Sequence, residues 1–404
     1  MSNRITLWIA FVAVHFWLGM LALFAPGFPL GDVVIVYKRW TDQIVMNNFW
    51  VGVDAPWVYP VVAIVPMLAA FALGPELYPS TWISIVMLLD AVAFAAITGW
   101  LTSRRRASVA WWWLGFLVLL GPIAVARIDA VTVPLAIVGV LLLATRPTAA
   151  GIVLAVATWI KVWPAALVAA VVIAGRHRRD VIVAAVGTSA AIIAIVLLLG
   201  GGANVFSFVT EQTGRGLQAE APVSTVWLWA AALGAPDTYV YYDLDILTYQ
   251  IVGAGVQVTA ALMTPVLAVA VAGVVALGVW AVRRGARADE LLAPLALALV
   301  VTLIAFNKVG SPQFISWLAV PVVLGLATRL AGGAPSFRTP AILVLVVAGL
   351  TQTFYPYLYT ELLSLNPVLL VVITARNLLL FVVLGWAVRA LVRIGRSATP
   401  AAIS

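Results

Sequence analysis

Residues 5–25 contain no aspartate, glutamate, lysine or arginine, and as a helix they are long enough to cross the ~30 Å hydrocarbon core of a bilayer. Comparable runs recur near residues 81–102, 108–126, 181–200, 251–282, 312–330, 338–354 and 367–388, with shorter ones at 59–74, 129–145, 149–174 and 291–306. Of the 404 residues, 64% are hydrophobic and 9% are charged, too little polar surface for a water-soluble domain. In lipid each backbone polar group must be satisfied within its own segment, so these runs read as helices. The ten-residue alternation of a membrane barrel is missing. The predicted fold is an all-α polytopic membrane bundle of roughly 11–13 segments, one integral-membrane domain over residues 1–404. Residues 5–25 are long for a signal-peptide core and no soluble stretch follows, so they read as a retained first helix.

The net charge of +8 rests on 23 basic and 15 acidic residues, and most basic ones are arginines clustered at 104–106, 176–179, 283–287 and 389–396. Between apolar segments such clusters mark the cytoplasmic side, which reads them as solvated loops with no nucleic-acid partner. Counting crossings from a cytoplasmic N-terminus makes 26–58 and 201–250 large external loops and puts 307–313 outside as well. Keeping residues 104–106 inside then requires 59–74 to dip into the membrane and return. It also requires 149–174 to be two half-helices meeting at "IKVWP", residues 160–164. In that arrangement Asp32, Arg127, Asp129 and Lys161 face one side. The chain has no cysteine, which excludes disulfides and thiolate metal sites.

Polar groups are so scarce that each one needs a reason. The three lysines, Lys38, Lys161 and Lys308, all fall at the outer ends of apolar segments, where a charge is costly unless paired or facing a cavity. The loop "TGRGLQAEAP" adds Arg215, Gln218 and Glu220 between glycines and a proline. In "FNKVGSPQFISW", Ser311 and Pro312 are helix-start residues, and a helix start beside Lys308 with Gln313 in its first turn suits an anion. Phosphate is the expected anion for Lys308, Arg215 and Lys161. Residues 33–48 put Val33, Val36, Tyr37, Trp40 and Ile44 on one face and Lys38, Arg39, Asp42 and Gln43 on the other, an amphipathic helix lying along the membrane surface. Asp32, just ahead of it, is either that helix's N-cap or a carboxylate held at the surface to accept a proton. Asp90 and Arg376, inside apolar runs, read as structural polar contacts, and His15 and His177 make no metal or triad set.

The ordered set "GD…VY" from residue 31, "VYP" at 58–60 with Tyr59, "RIDA" at 127–130, "ATWIKVWP" at 157–164, "RGLQAE" at 215–220 and "NKVGSPQFISW" at 307–317 resembles the glycosyltransferase family 87 branch of the GT-C superfamily. The resemblance spans most of residues 28–320. It implies the GT-C fold and inverting transfer of a sugar, usually mannose, from a polyprenyl-phosphate donor to a glycolipid acceptor. The active site would face the extracytoplasmic side of the plasma membrane, with the family's essential aspartate matched by Asp32. Lys308, Arg215, Lys161, Gln313 and Ser311 would then hold the donor phosphate. Glu220, Gln218, Arg127, Asp129, Tyr37 and Tyr59 would line the sugar and acceptor site. No cofactor is expected and no metal: one base takes the acceptor proton, and the departing phosphate needs only positive charge. Family members that act on phosphatidylinositol mannosides carry a histidine in the late external segment, where this chain has Ser311-Pro312-Gln313-Phe314. The competing expectations are a transporter of lipid-linked saccharides and a non-catalytic subunit of an envelope-synthesis complex.

Overall fold

The computed structural model describes residues 4–99, 106–333 and 335–398, so Arg104 and Arg105 of the first arginine cluster lie outside the described residues. Among these, eight helices are long and apolar enough to cross a membrane: Arg4–Phe24, Tyr78–Ile97, Ala107–Ala124, Arg178–Leu198, Val256–Arg283, Ala288–Ala305, Pro312–Leu330 and Pro367–Ser397. Shorter apolar helices span Val61–Ala70, Asp129–Leu142, Pro147–Ile160, Ala165–Ala174 and Arg338–Phe354. Asp129–Leu142 is only about 21 Å long at 1.5 Å per residue. Most of its side chains are buried, so protein surrounds it and it need not match the bilayer. Arg178–Leu198 and Val256–Arg283 are 11% and 17% buried and form the lipid-facing rim.

Successive helices alternate in direction. His15 meets Asp90 at 2.9 Å and Trp8 packs on Phe94, which sets Arg4–Phe24 antiparallel to Tyr78–Ile97. Arg176 and Asp289 pair at 3.5 Å, so the arginine-rich turns at 175–178 and 284–288 share one end of the bundle. Trp280 packs against Gly395 at that same end. The first loop, the turns at 121–128 and 161–164, the segment 199–255 and residues 306–312 and 355–366 gather at the other end.

The dip and return expected of residues 59–74 takes a different form. Val61–Ala70 is one short helix of about 15 Å. Beyond its end Phe71 packs on Tyr78, and Tyr78 meets Thr41 of the first loop at 3.3 Å. Both ends of this helix therefore stay on one side, and Tyr78–Ile97 carries the chain to the arginine end. The break expected near Lys161 is present: Lys161 is extended between Pro147–Ile160 and Ala165–Ala174, where Pro164 has no N–H to donate to the Ile160 carbonyl and its ring would clash with it.

The first loop folds as a π-helical turn, Asp32–Tyr37, continuing into the helix Lys38–Asn47. Val33, Tyr37, Thr41 and Ile44 form its buried face, while Lys38 pairs with Asp42 at 2.8 Å on the other. The fold is mostly helical, as expected, and the segment 199–255 adds one antiparallel hairpin. Strand β1, Tyr239–Asp243, pairs with β2, Thr248–Val252, with Tyr242 opposite Tyr249. Alternating aromatic and β-branched residues favour this pairing. The Asp243 carboxylate accepts from the backbone of Asp245 and Ile246 and closes the turn.

His15 and Asp90, each 3% exposed, satisfy one another at membrane depth. His15→Ala is expected to destabilise the protein by about 3–5 kcal/mol, the loss typical of one partner removed from a buried pair. Melting temperatures in detergent check this, and the double variant His15→Ala/Asp90→Leu should recover most of the loss.

Candidate active site

Arg127 is 6% exposed in the turn before the helix Asp129–Leu142, and every part of its guanidinium is engaged. It donates to the carbonyls of Pro29 and Ala126 and to the Tyr355 hydroxyl, while its Nε lies 3.0 Å from Asp32 Oδ2. Asp32 is the first residue of the π-helical turn, and Gly31 occupies the cap position with no side-chain cap bond. The carboxylate is thus turned away from the helix end and towards Arg127. Its side chain is 39% exposed, and Oδ1 has no hydrogen-bond partner among the described residues. Beside it, the Tyr37 hydroxyl accepts from the Ile128 backbone N–H, and the Tyr59 ring is held edge-on by Trp40 and Trp57. Burial, reinforced by the Asp32 charge, pushes the Tyr59 phenol well up, so it serves as a donor and not as a base.

A second carboxylate–cation pair sits one layer back. Lys161 Nζ lies 2.6 Å from Asp129 Oδ2, and the Trp317 indole donates to Oδ1 at 2.5 Å. The rings of Phe314, Trp317 and Tyr59 lie 5.1, 5.7 and 5.9 Å from the ammonium. Trp163 stacks on Trp317 at 5.4 Å and donates to Thr132. Asp129 is 1% exposed, so it anchors Lys161 from behind.

The third group comes from residues 215–220. Their backbone is stitched to two other segments: Gln218 N–H donates to the Lys308 carbonyl, Ala219 N–H to Tyr249, and Ile251 N–H to Leu217. Gly310 lies so close to this strand-like stretch that a Cβ would fall 2.1 Å from the Ala221 nitrogen, so only glycine fits. Arg215 and Lys308 are thereby brought into one site. Burial lowers the pKa of both, a cost that a bound anion would offset. Ser311 stands at a helix start, but its hydroxyl donates to Gln313 Oε1 and does not cap the backbone. Glu220 is 5% exposed; Oε1 accepts from the Tyr359 hydroxyl at 2.8 Å, and Oε2 lies 3.8 Å from Arg376. Burial, partly opposed by Arg376 and Tyr359, raises the Glu220 carboxyl to about 7.

These groups surround one cavity of about 700 Å³. Asp32, Tyr37, Tyr59, Arg127, Lys161, Arg215, Gln218, Glu220, Lys308, Ser311 and Gln313 all line it, and Asp129 alone of the expected residues lies off its wall. Residues that sequence reasoning passed over also line it: Glu211, Tyr242, Asp245, Tyr249, Tyr355 and Tyr359. The tyrosine-rich "YPYLY" between two apolar runs was the one visible signal for the last pair. Arg376, read as structural, reaches the site through Glu220. Met263, Thr264, Leu267 and Leu303 extend the wall down two membrane helices. Among the described residues no three His, Cys, Asp or Glu side chains are grouped as a metal site needs.

The sequence model of glycosyltransferase family 87 matches residues 57–306. No curated protein matches the chain significantly. Among solved structures the chain is similar to ArnT from Cupriavidus metallidurans in the apo state, with a TM-score of 0.48 and 13% identity. That match covers 97% of this chain and 78% of the other.

The raised Glu220 carboxyl gives a stability signature of definite sign. A carboxyl held above its unfolded value contributes stability below pH ~4.5 that is lost as pH rises through about 7. Glu220→Gln does not titrate, so its Tm relative to wild type should climb between pH 5 and pH 8. A constant difference across that range would contradict the assignment.

Proposed function

The chain belongs to glycosyltransferase family 87, of the GT-C superfamily, and on that premise we propose that it is an inverting polyprenyl-phosphate-sugar transferase with Asp32 as base. The sugar is mannose in this reading, the acceptor a glycolipid, and the site faces the extracytoplasmic side. The observation that carries the proposal is the cavity. It joins a carboxylate with an unbonded oxygen, the buried Lys308, the half-buried Arg215 and a wall reaching down membrane helices. Leu267 lies eleven residues into Val256–Arg283, about 16 Å below the start of that helix. A ligand filling this space would touch polar groups at its head and hydrocarbon-depth side chains along its tail, as a lipid-linked sugar does.

The chemistry assigns one role to each wall. The acceptor hydroxyl oxygen attacks the anomeric carbon, the bond from that carbon to the phosphate oxygen breaks, and polyprenyl phosphate departs. The hydroxyl proton passes to Asp32 Oδ1, while Arg127 holds the carboxylate in place through Oδ2. Arg215 and Lys308 face the charge that develops on the phosphate, with Ser311 and Gln313 beside them. Lys161, already bound to Asp129, adds charge at longer range. Gln218 and Glu220 border the sugar. Membership in a transferase family favours chemistry over transport.

Three measurements follow with purified protein in nanodiscs. Asp32→Asn should lower kcat by about 10²–10⁴-fold while the Kd for polyprenyl-phosphate-mannose changes little. Arg215→Ala and Lys308→Ala should each weaken donor binding by about tenfold or more and acceptor binding less. The chain has no cysteine, so single Glu361→Cys and Arg284→Cys variants report sidedness cleanly. Impermeant maleimide added outside intact cells should label Cys at 361 and not at 284.

A further inference from the structure

The hairpin is the one sheet among the described residues, and its tip supplies Tyr242, Asp245, Ile246, Leu247, Thr248 and Tyr249 to the cavity wall. We propose that this tip is the acceptor-sugar subsite, with Tyr242 and Tyr249 packing on a pyranose ring and Asp245 accepting hydrogen bonds from its hydroxyls. The proposal rests on the transferase reading and adds where the second substrate sits.

Strand alternation separates Tyr242 from its neighbours. Side chains along β1 point to opposite faces in turn, so Tyr239 and Tyr241 share one face and Tyr242 points to the other, into the cavity. Seating in the membrane interface would account for Tyr239 and Tyr241 but not for Tyr242, which is 43% exposed on the cavity side. Its ring lies 4.9 Å from that of Tyr249 at an interplanar angle of 55°, making an angular aromatic cleft. Tyr249 is braced edge-on by Tyr359 at 5.7 Å, and Tyr359 is fixed in turn by Glu220. One face of a pyranose is a row of C–H groups, which packs on such rings, while its rim of hydroxyls seeks acceptors.

The two turn acids have divided roles. Asp243 is consumed by the turn: its carboxylate accepts from the Asp245 and Ile246 backbone and from the Gln250 amide. Asp245 is exposed on the cavity wall, and its carboxylate makes no hydrogen bond or ion pair among the described residues. A carboxylate is an acceptor only, strong towards hydroxyl donors. Burial, then Tyr249 and the Asp32 charge, push the Tyr242 phenol up, and Asp32 and Tyr242 line the same cavity. The wall of Met263, Leu267 and Leu303 belongs to membrane helices, so the donor's lipid and the acceptor's sugar have separate ends of one cavity.

The test uses full-length protein in nanodiscs and the variants Tyr242→Ala and Asp245→Asn. With polyprenyl-phosphate-mannose as donor and an alkyl α-mannoside as acceptor, each variant should raise the acceptor KM about tenfold and leave the donor Kd unchanged. An unchanged acceptor KM in both, or a donor Kd that rises in step, overturns the proposal. Saturation-transfer NMR with methyl α-D-mannopyranoside separates this from the underlying reading, because it needs no turnover. Signal in wild type that vanishes in Tyr242→Ala supports the subsite even if no donor is consumed, whereas equal signal, or none, in the two proteins overturns it. A wild type that turns over no donor at all counts against the transferase reading alone.

Discussion

The ion pair between Arg127 and Asp32 holds the site together. Arg127 is buried, and a buried guanidinium is tolerated only when its donors are engaged. Its partners come from three distant parts of the chain: residues 29–32 in the first loop, its own turn, and Tyr355 after the helix Arg338–Phe354. Removing one partner from such a set leaves a charge uncompensated, at a typical cost of about 3–5 kcal/mol. The first loop is therefore bound to the bundle through the same carboxylate that the proposed chemistry requires, and Asp32 Oδ1 is aimed by the group that fixes Oδ2.

That arrangement also sorts the cations. Arg127 and Lys161 each hold a carboxylate within 3.0 Å, so their charge is largely balanced within the protein. Burial disfavours the charged forms of Arg215 and Lys308, and an anionic ligand would favour them. Both hang on one short backbone connection, the bond from Gln218 to Lys308 with Gly310 packed against Ala221. Two segments almost a hundred residues apart thus arrive at the proposed phosphate site as a unit.

Much of this was legible because the chain is so apolar. In an aqueous protein Lys161 or Arg215 would be one surface charge among many; here each must pair or face a cavity, and eleven of the twelve expected residues do line one. The long helices followed from uninterrupted apolar runs, and the break at Lys161 from Pro164. Long-range pairing was not legible. Nothing in "ARIDA" tells that Asp129 points back to Lys161 and Trp317, or that Arg127 takes Tyr355. The return of residues 59–74 to their starting side followed from the arginine clusters, but their form, one short helix followed by the contact of Phe71 with Tyr78, did not. The hairpin was hidden inside a loop because its five-residue strands are too short to show against the helical background. Tyr355 and Tyr359 were missed since the family motifs stop before them.

The central claim is that Asp32 removes a proton from the acceptor. Azide is a nucleophile that carries no proton to remove, so it distinguishes a base from a residue that merely shapes the site. Asp32→Asn, whose amide oxygen can still accept from Arg127, is incubated with polyprenyl-phosphate-mannose and either the hydroxyl acceptor or sodium azide, and the rates are compared with wild type. The account predicts that hydroxyl transfer collapses while mannosyl azide of inverted configuration forms at a rate near that of wild type. Parallel loss of both products would contradict it.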